Sequence, residues 1–305
     1  MAAEGAVSVV IPTIGRASLR TAVESALAQT TPPAEVIVVL DADCEPDLPD
    51  SSLIRVLRTS GGVGPSLAKH HGIEAASGDI IALLDDDDSW RENKLEIQLA
   101  AAPPGDEWIL SSRFAIHAEG QEPIIGPRTL IRRDEPIAAY LFEMRSRAAF
   151  NMVPVPTMVF PRVLTQTVPM SVAAGSIHDD PKWLIEVRRA FPSLPIIQLP
   201  EPLIDINWSP VSISRSKTDR SKTLIDWGIR ELADETPRVR GDYMLTSAVG
   251  SALLAGSFRG VASSISAGVR HGRPGALAWA SAAKSLMKLG VGRTKAAAAR
   301  MAGKP

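Results

Sequence analysis

Apolar residues in the first hundred positions form short unbroken runs, separated by segments with helical spacing. Residues 7–11, 35–40, 53–57 and 79–84 are rich in Val, Ile and Leu. Each run is bounded by Pro, Gly, Asp or Ser. Runs of this length without strict polar alternation predict strands that are buried on both faces.

Helices are predicted between these strands at 18–29, at 66–76 with Ser66 as the N-cap, and at 90–102. Alternating strands and helices predict an α/β fold, in which helices cover both faces of a mostly parallel sheet. Ligands of such sheets bind beyond the carboxyl ends of the strands. The sequence therefore predicts that ligand-binding residues lie directly after the apolar runs.

Beyond residue 105 the pattern is less regular and contains many prolines. Strands are predicted at 108–116 and 158–160, and helices at 135–147 and 180–190. From 241 onward Ala, Ser, Gly and basic residues dominate, which indicates a helical extension. The predicted segments are 1–104, 105–240 and 241–305, and the last of them consists of basic, Ala-rich helices.

Charge is unevenly distributed along the 305 residues, although the formal net charge is only −1. Residues 241–305 carry nine Lys and Arg against one acid, a net charge of +8, so the remainder carries −9. A helix at 276–289 would place Trp279 and Leu286 on one side and Lys284 on the other. Two interpretations stay open: this helix packs on the rest of the chain, or it binds an anionic membrane surface. Nucleic acid is not expected, because aromatic residues are not interleaved with the basic ones.

Neither an export signal nor a membrane span is predicted. The first six residues contain no basic side chain, and the weakly polar run 244–256 is too short to cross a bilayer. Cys44 is the only cysteine, which excludes a disulfide framework and a cysteine-based zinc site. The expected compartment is the cytoplasm, with peripheral association at the inner face of the membrane if the basic segment binds lipid.

Four consecutive aspartates, at 85–88, end the fourth predicted strand. Adjacent carboxylates repel one another, and their oxygens suit a hard cation such as Mg²⁺ or Mn²⁺. A solvated acidic turn before the next helix is the alternative. A second pair, Asp179 and Asp180, can hold a general base or can simply begin a helix, and His178 is more often a packed residue than a ligand. The glycine-rich turn at 61–64 lacks the third glycine of a dinucleotide motif and the lysine of a P-loop.

In their order along the chain, these motifs resemble those of family 2 glycosyltransferases. The resemblance is strong over residues 7–100 and continues weakly through 140–142, 161–162 and 178–184. It implies a GT-A-like fold, an inverting reaction and a nucleotide-diphospho-sugar donor. Residues 1–104 are then the Rossmann-like, nucleotide-sugar-binding half, and residues 105–240 the acceptor-binding half with the catalytic base. The resemblance also implies an acceptor hydroxyl on a saccharide, a lipid-linked molecule or a small molecule, in the synthesis of polysaccharides, glycolipids or glycoconjugates.

Site residues follow from the same resemblance. Asp180 takes the position of the catalytic base, and Asp85 and Asp87 form the DxD pair that holds Mn²⁺ or Mg²⁺. Because four aspartates run together, the pair 86/88 stays an alternative. The residues expected to contact the nucleotide sugar are Pro12, Thr13, Arg16, Asp41, Lys69, Asp85 and Asp86.

Two departures from the family pattern concern the diphosphate and acceptor contacts. Lys69 stands where arginine is usual, and Glu186 stands where an arginine commonly follows the base. A non-catalytic sugar-nucleotide-binding protein of the same fold is therefore one alternative. A haloacid dehalogenase-like phosphatase with Asp41 as nucleophile is another, but a complete strand and helix precede Asp41, and the spacing to Asp85 is short.

Overall fold

A computed structural model of the chain describes residues 5–146, 151–170, 177–207 and 218–287. The chain divides into two compact units. The first comprises Met1–Ile137 and Phe150–Ser209, and the second comprises Ala138–Ala149 and Pro210–Pro305. The strands of the predicted segments 1–104 and 105–240 share one sheet in the first unit, because strands from both segments pair directly.

The sheet has nine strands in the order β3-β2-β1-β4-β8-β6-β9-β5, and β7 pairs with β6. The first four strands of this order are parallel. β8 is antiparallel to β4 and β6, and β6 and β9 are parallel to each other. The strands are β1 (Val7–Thr13), β2 (Glu35–Leu40), β3 (Ile54–Arg58), β4 (Ile80–Leu83), β5 (Ser89–Trp90), β6 (Ile109–His117), β7 (Ile124–Gly126), β8 (Val159–Pro161) and β9 (Ile196–Asn207).

Helices cover the sheet in the first unit and make up most of the described part of the second. Val9, Ile11 and Val38 pack with Leu19 and Val23 in a fully buried core, which explains why the first two strands are apolar on both faces. The helices are α1 (Leu19–Leu27), α2 (Pro65–Ala75), α3 (Lys94–Ala100), α4 (Ile137–Phe142), α5 (Val163–Thr167), α6 (Asp179–Ala190), α7 (Ser221–Glu231), α8 (Pro237–Tyr243), α9 (Val249–Leu254), α10 (Phe258–His271) and α11 (276–287).

Most predicted elements are present, but several boundaries were wrong. Ser66 does not cap α2: Gly64 precedes the helix and Pro65 is its first residue, where a missing N–H costs nothing. Trp90 lies in the short strand β5 instead of beginning a helix. The predicted helix at 135–147 is only the short α4.

Strand β9 was missed by the sequence analysis because Pro200 and Pro202 interrupt its pattern. The register against β6 shifts between Ser112 and Arg113 and again between Arg113 and Phe114, so three residues of β9 are skipped in the pairing. A bulge of this kind accommodates prolines, which cannot donate to a regular ladder.

The second unit is built around an aromatic cluster and a buried carboxylate. The rings of Phe142, Trp227 and Tyr243 have centroids 5.0–5.9 Å apart. Asp242 is fully buried, pairs with Arg238 at 2.7 Å, and accepts the backbone N–H of Gly275. Helix α8, which contains both Arg238 and Asp242, runs across the predicted segment boundary at residue 240.

The predicted packing face of α11 was wrong. Ala278 and Ala282 are its buried residues, whereas Trp279 is exposed. Residues 288–289 of the predicted helix lie outside the described ranges. Within those ranges, no helix is long and apolar enough to span a membrane.

Candidate functional site

The carboxyl ends of β1, β2 and β4 bring the predicted site residues to one edge of the sheet. Thr13 is paired with Leu40 in the register of β1 and β2, so Asp41 follows directly beside it. Pro12 is a buried residue of β1, one position earlier. Leu83, which precedes the aspartates by two positions, is paired with Val10. Parallel register alone therefore accounts for this convergence.

Asp41 holds the glycine-rich loop at 60–64. Its carboxylate accepts a hydrogen bond from the Thr59 hydroxyl and from the backbone N–H groups of Val63 (3.0 Å) and Gly64 (2.8 Å). Burial opposes ionisation of Asp41, but these hydrogen bonds outweigh it and lower its pKa. The loop turns sharply, since Gly61, Gly62 and Gly64 all have positive φ, which favours glycine.

Thr13 and Arg16 engage the middle of the aspartate run. The Thr13 hydroxyl donates to Asp86 at 2.6 Å, and one guanidinium nitrogen of Arg16 contacts Asp86 at 3.0 Å and Asp87 at 2.9 Å. Burial raises the pKa of Asp86, and Thr13 and Arg16 oppose that shift. Asp86 therefore accepts hydrogen bonds from two side chains, whereas the side chain of Asp87 is more exposed to solvent.

Asp85 and Asp88 are the least compensated carboxylates of the run. Burial raises the pKa of Asp85 to about 6, although Lys69 opposes the shift. Burial and repulsion from Asp85 raise the pKa of Asp88 to about 8, although Asp88 accepts the backbone N–H of Asn207 at 3.0 Å. At neutral pH the folded protein therefore holds Asp88 mainly as the neutral acid.

Asp85 and Asp88 are expected to contribute a decline in the free energy of unfolding as the pH rises from about 4 to about 8 in EDTA, whereas the lowered pKa values of His178 and Lys94 contribute in the opposite direction. In this window folded Asp85 and Asp88 retain protons that the unfolded chain has lost, so a rise in pH favours unfolding. Asp88→Asn should flatten this decline in urea unfolding measured at several pH values. The exposed control Asp106→Asn should leave it unchanged. Equal slopes for Asp88→Asn and the unaltered protein would contradict the prediction.

Lys69 interacts with both predicted acidic motifs, with Asp180 in the second and with Asp85 in the first. Its ammonium, on the buried side of α2, lies 3.1 Å from Asp180. Burial alone would lower the pKa of Lys69, but Asp180 and Asp85 together raise it. The neighbouring Asp179 accepts a hydrogen bond from the Ser66 hydroxyl. The start of α6 is thus tied to the start of α2.

His178 precedes α6 in a left-handed conformation, with φ of 54°. Burial lowers the pKa of His178 to about 4, while Asp180 and Asp179 oppose this shift. The imidazole is therefore neutral at physiological pH. A neutral buried ring fits the expectation that His178 packs beside the site.

The structure divides the predicted site residues into three contacting groups. In the first group, Thr13 contacts Asp86, and Arg16 contacts both Asp86 and Asp87. In the second group, Lys69 contacts Asp180. In the third, Asp41 contacts the glycine-rich loop, and among the described residues its carboxylate forms no hydrogen bond with another predicted side chain. Thr59, Ser66 and Asn207 also contribute to the site but were not predicted. Hydroxyl and amide residues are too common at strand ends and helix starts to single these residues out.

The aspartates partly match the donor set of a hard cation. Lys69 compensates the charge of Asp85 only in part, and no cation is among the groups that shift the pKa of Asp88. Carboxylate oxygens of this kind are suitable ligands for Mg²⁺ or Mn²⁺. Asp87 is turned toward Arg16. In the described part of the chain, no three His, Cys, Asp or Glu side chains are already arranged as a metal site. A metal on Asp85 and Asp87 therefore stays a prediction, and Arg16 contacts one carboxylate oxygen of Asp87.

The N-terminal half of the chain is similar in sequence to known glycosyltransferases. The family model Glycosyl transferase family 2 matches residues 8–149. An uncharacterized glycosyltransferase of Rickettsia bellii (strain RML369-C) is 39% identical over 102 residues, which cover 30% of this chain and 14% of that protein. The chain thus aligns with a small part of this relative's length.

Solved structures resemble the fold. S. aureus TarS 1–349 in complex with UDP-GlcNAc has a TM-score of 0.54 at 13% identity, covering 86% of this chain and 81% of that chain. Another S. aureus TarS structure has a TM-score of 0.49 at 14% identity, covering 84% of this chain and 50% of that chain. The first likeness confirms the predicted GT-A-like α/β fold with C-terminal helices.

Proposed function

We propose that the protein is a family 2 glycosyltransferase, because residues 8–149 match the model of that family, and that it transfers a sugar from a nucleotide-diphospho-sugar to an acceptor hydroxyl with inversion. The observation that carries this proposal is the ion pair of Lys69 with Asp180 at 3.1 Å. It links the proposed base to Asp85, whose charge also acts on Lys69. A base and a carboxylate cluster at one edge of the sheet are what the reaction requires.

The proposed step is a single displacement at the anomeric carbon. The acceptor hydroxyl gives its proton to a carboxylate oxygen of Asp180 as its own oxygen bonds to that carbon. The bond from the carbon to the diphosphate oxygen breaks on the opposite face, and its electron pair leaves with the nucleoside diphosphate. Attack opposite the leaving group inverts the configuration, and no covalent intermediate with the protein is formed.

Donor binding is assigned to the edge formed by β1, β2 and β4. Pro12, Thr13 and Asp41 are the proposed contacts for the base and ribose, and Asp85 and Asp87 are the proposed metal ligands. A bound Mn²⁺ or Mg²⁺ would neutralise charge on the diphosphate. Among the described residues, Arg16 pairs with Asp86 and Asp87, and the charge of Lys69 acts on Asp85. These two cations are therefore proposed to stabilise the departing diphosphate.

The phosphatase alternative is not favoured by the geometry of Asp41. Its carboxylate accepts hydrogen bonds from Thr59, Val63 and Gly64, so it is occupied in holding a loop. A nucleophile needs an oxygen that is free to attack phosphorus. The non-catalytic alternative is separated from an enzyme by the Asp180 variant considered below.

A thermal-shift panel of nucleotide-diphospho-sugars with and without Mn²⁺ tests the donor class. UDP-sugars are the first candidates, because the fold resembles that of a protein crystallised with UDP-GlcNAc. At about 100 times the Kd, one donor should stabilise the protein by about 2.7 kcal/mol, or roughly 5 °C. Nucleoside monophosphates serve as the control. The proposal fails if no donor shifts Tm and no nucleoside diphosphate is released with any acceptor class.

A further inference from the structure

Helix α10 presents three distinct faces along its 14 residues. One face is buried in the second unit and consists of Gly260, Val261, Ser264, Ala267 and Gly268. The opposite surface is exposed, and it contains two parallel rows spaced as i, i+4, i+7 and i+11. These two rows differ in their chemistry.

The first exposed row is apolar. It consists of Phe258, Ala262, Ile265 and Val269. Phe258 is 41% exposed and Val269 is 58% exposed, whereas Ile265 is half-buried. A helix that only packed on its own unit would turn such a row inward.

The second exposed row is basic and polar. It consists of Arg259, Ser263, Ser266 and Arg270. Neither arginine forms an ion pair among the described residues, and both are exposed. Residues 241–305 contain a single acid, Asp242, which is fully buried. The exposed surface of α10 therefore joins an apolar row to a cationic row with no acidic side chain of its own, and Asp219 lies beside Gly260 on the other side of the helix.

Helix α11 repeats this arrangement. Ala276, Ala280, Ala283 and Met287 form an exposed row with the same spacing, and Trp279 lies beside it. Met287 is 65% exposed and Trp279 is 39% exposed. Lys284 is exposed on the flank of the row. Two successive helices thus expose apolar side chains next to basic ones.

We propose that the exposed faces of α10 and α11 bind the surface of an anionic lipid bilayer. An apolar row enters the boundary between headgroups and acyl chains, while the neighbouring arginines and lysine remain at the anionic headgroups. A tryptophan at the edge of the apolar row suits the same boundary.

A second copy of this chain is a less suitable partner for these faces than an anionic lipid surface. A two-fold interface places the same patch on both partners, so a patch that carries Arg259 and Arg270 would meet an identical cationic patch. Such like-charge contacts oppose association. Anionic lipid supplies both the apolar phase and the opposite charge.

Vesicle flotation of the full chain and its point variants tests the proposal. Point variants are used instead of a deletion of 241–305, because Asp242 and Tyr243 belong to the core of the second unit and their loss would disrupt it. The apolar variant is Val269→Ser/Met287→Ser, and the charge variant is Arg259→Gln/Arg270→Gln. Matched controls in the first unit are Ile124→Ser/Ile125→Ser, also exposed, and Arg128→Gln/Arg133→Gln. Circular dichroism and Tm check that each variant is folded.

The unaltered protein is expected to float with vesicles of phosphatidylcholine and phosphatidylglycerol, and not with phosphatidylcholine alone. Each of the two test variants should weaken partitioning about tenfold, and both controls should bind normally. Added NaCl should weaken binding. The proposal is overturned if the unaltered protein does not bind, if the charge of the vesicle has no effect, or if test and control variants bind equally. A dimer in solution that the Val269→Ser/Met287→Ser variant abolishes would likewise overturn it, in favour of a second copy.

Discussion

Replacement of Asp180 by Asn is expected to slow glycosyl transfer about a thousandfold, within the range that a positioned general base contributes. The amide cannot accept the acceptor's proton, but its oxygen can still accept the hydrogen bond from Lys69 that the carboxylate accepts at 3.1 Å. Donor affinity should therefore change little. The measurements are nucleoside diphosphate release under saturating donor and calorimetric titration of the same donor.

Asp179→Asn is the matched control, because Asp179 lies beside Asp180 on α6 and accepts a hydrogen bond from Ser66. An amide oxygen can take over that role, so transfer should fall only a fewfold. Full activity of the Asp180→Asn variant would show that another group takes the proton. A protein that binds donor but never releases nucleoside diphosphate, even unaltered, would support the non-catalytic alternative.

Lys69→Met is expected to destabilise the first unit by about 3–5 kcal/mol at neutral pH, the usual cost of removing one partner of a buried ion pair. Lys69 is 6% exposed, and its ammonium acts on Asp180 and Asp85. Without it, burial and mutual repulsion of these carboxylates are no longer opposed. Urea unfolding should show the loss, and the loss should shrink as the pH falls below the pKa of Asp85.

Lys94→Met is the informative counterpart, because Lys94 is also a buried lysine of the first unit but has no hydrogen-bond partner among the described residues. Its amine lies 4.0 Å from the centre of the Trp90 ring. Burial lowers the pKa of Lys94 well below its usual value, so protonation costs stability increasingly as the pH falls. Lys94→Met should leave stability unchanged or increase it by about 2 kcal/mol, and more at pH 7 than at pH 10. A loss as large as that of Lys69→Met would contradict this account.

Much of the first unit could be predicted from the sequence because β1, β2 and β4 are buried on both faces. Short apolar runs such as Glu35–Leu40, separated by helical segments, predict parallel strands, and the residues after such strands meet at one edge of the sheet. β9 could not be found in this way, since a bulge around two prolines removes the pattern. Likewise, the exposed position of Trp279 depends on which face of α11 the second unit covers.

The site was predicted as a set of residues but not as a set of contacts. Spacing places Asp85 and Asp87 on the same side of an extended segment, yet the turn after β4 directs Asp87 toward Arg16 and leaves Asp85 near Lys69. These directions depend on long-range partners, such as Asn207 at the end of β9, that a local motif does not contain. Side-chain direction within a run of identical residues therefore needs the tertiary structure.

The glycine-rich loop has a thermodynamic consequence that follows from its attachment to Asp41. Gly61, Gly62 and Gly64 have the largest backbone entropy to lose when they are ordered. Because Thr59 and Asp41 fix the loop in the free protein, that entropy is lost during folding. A ligand that lies across the loop then binds without having to order it, so its affinity is limited by its own contacts and not by the disorder of three glycines.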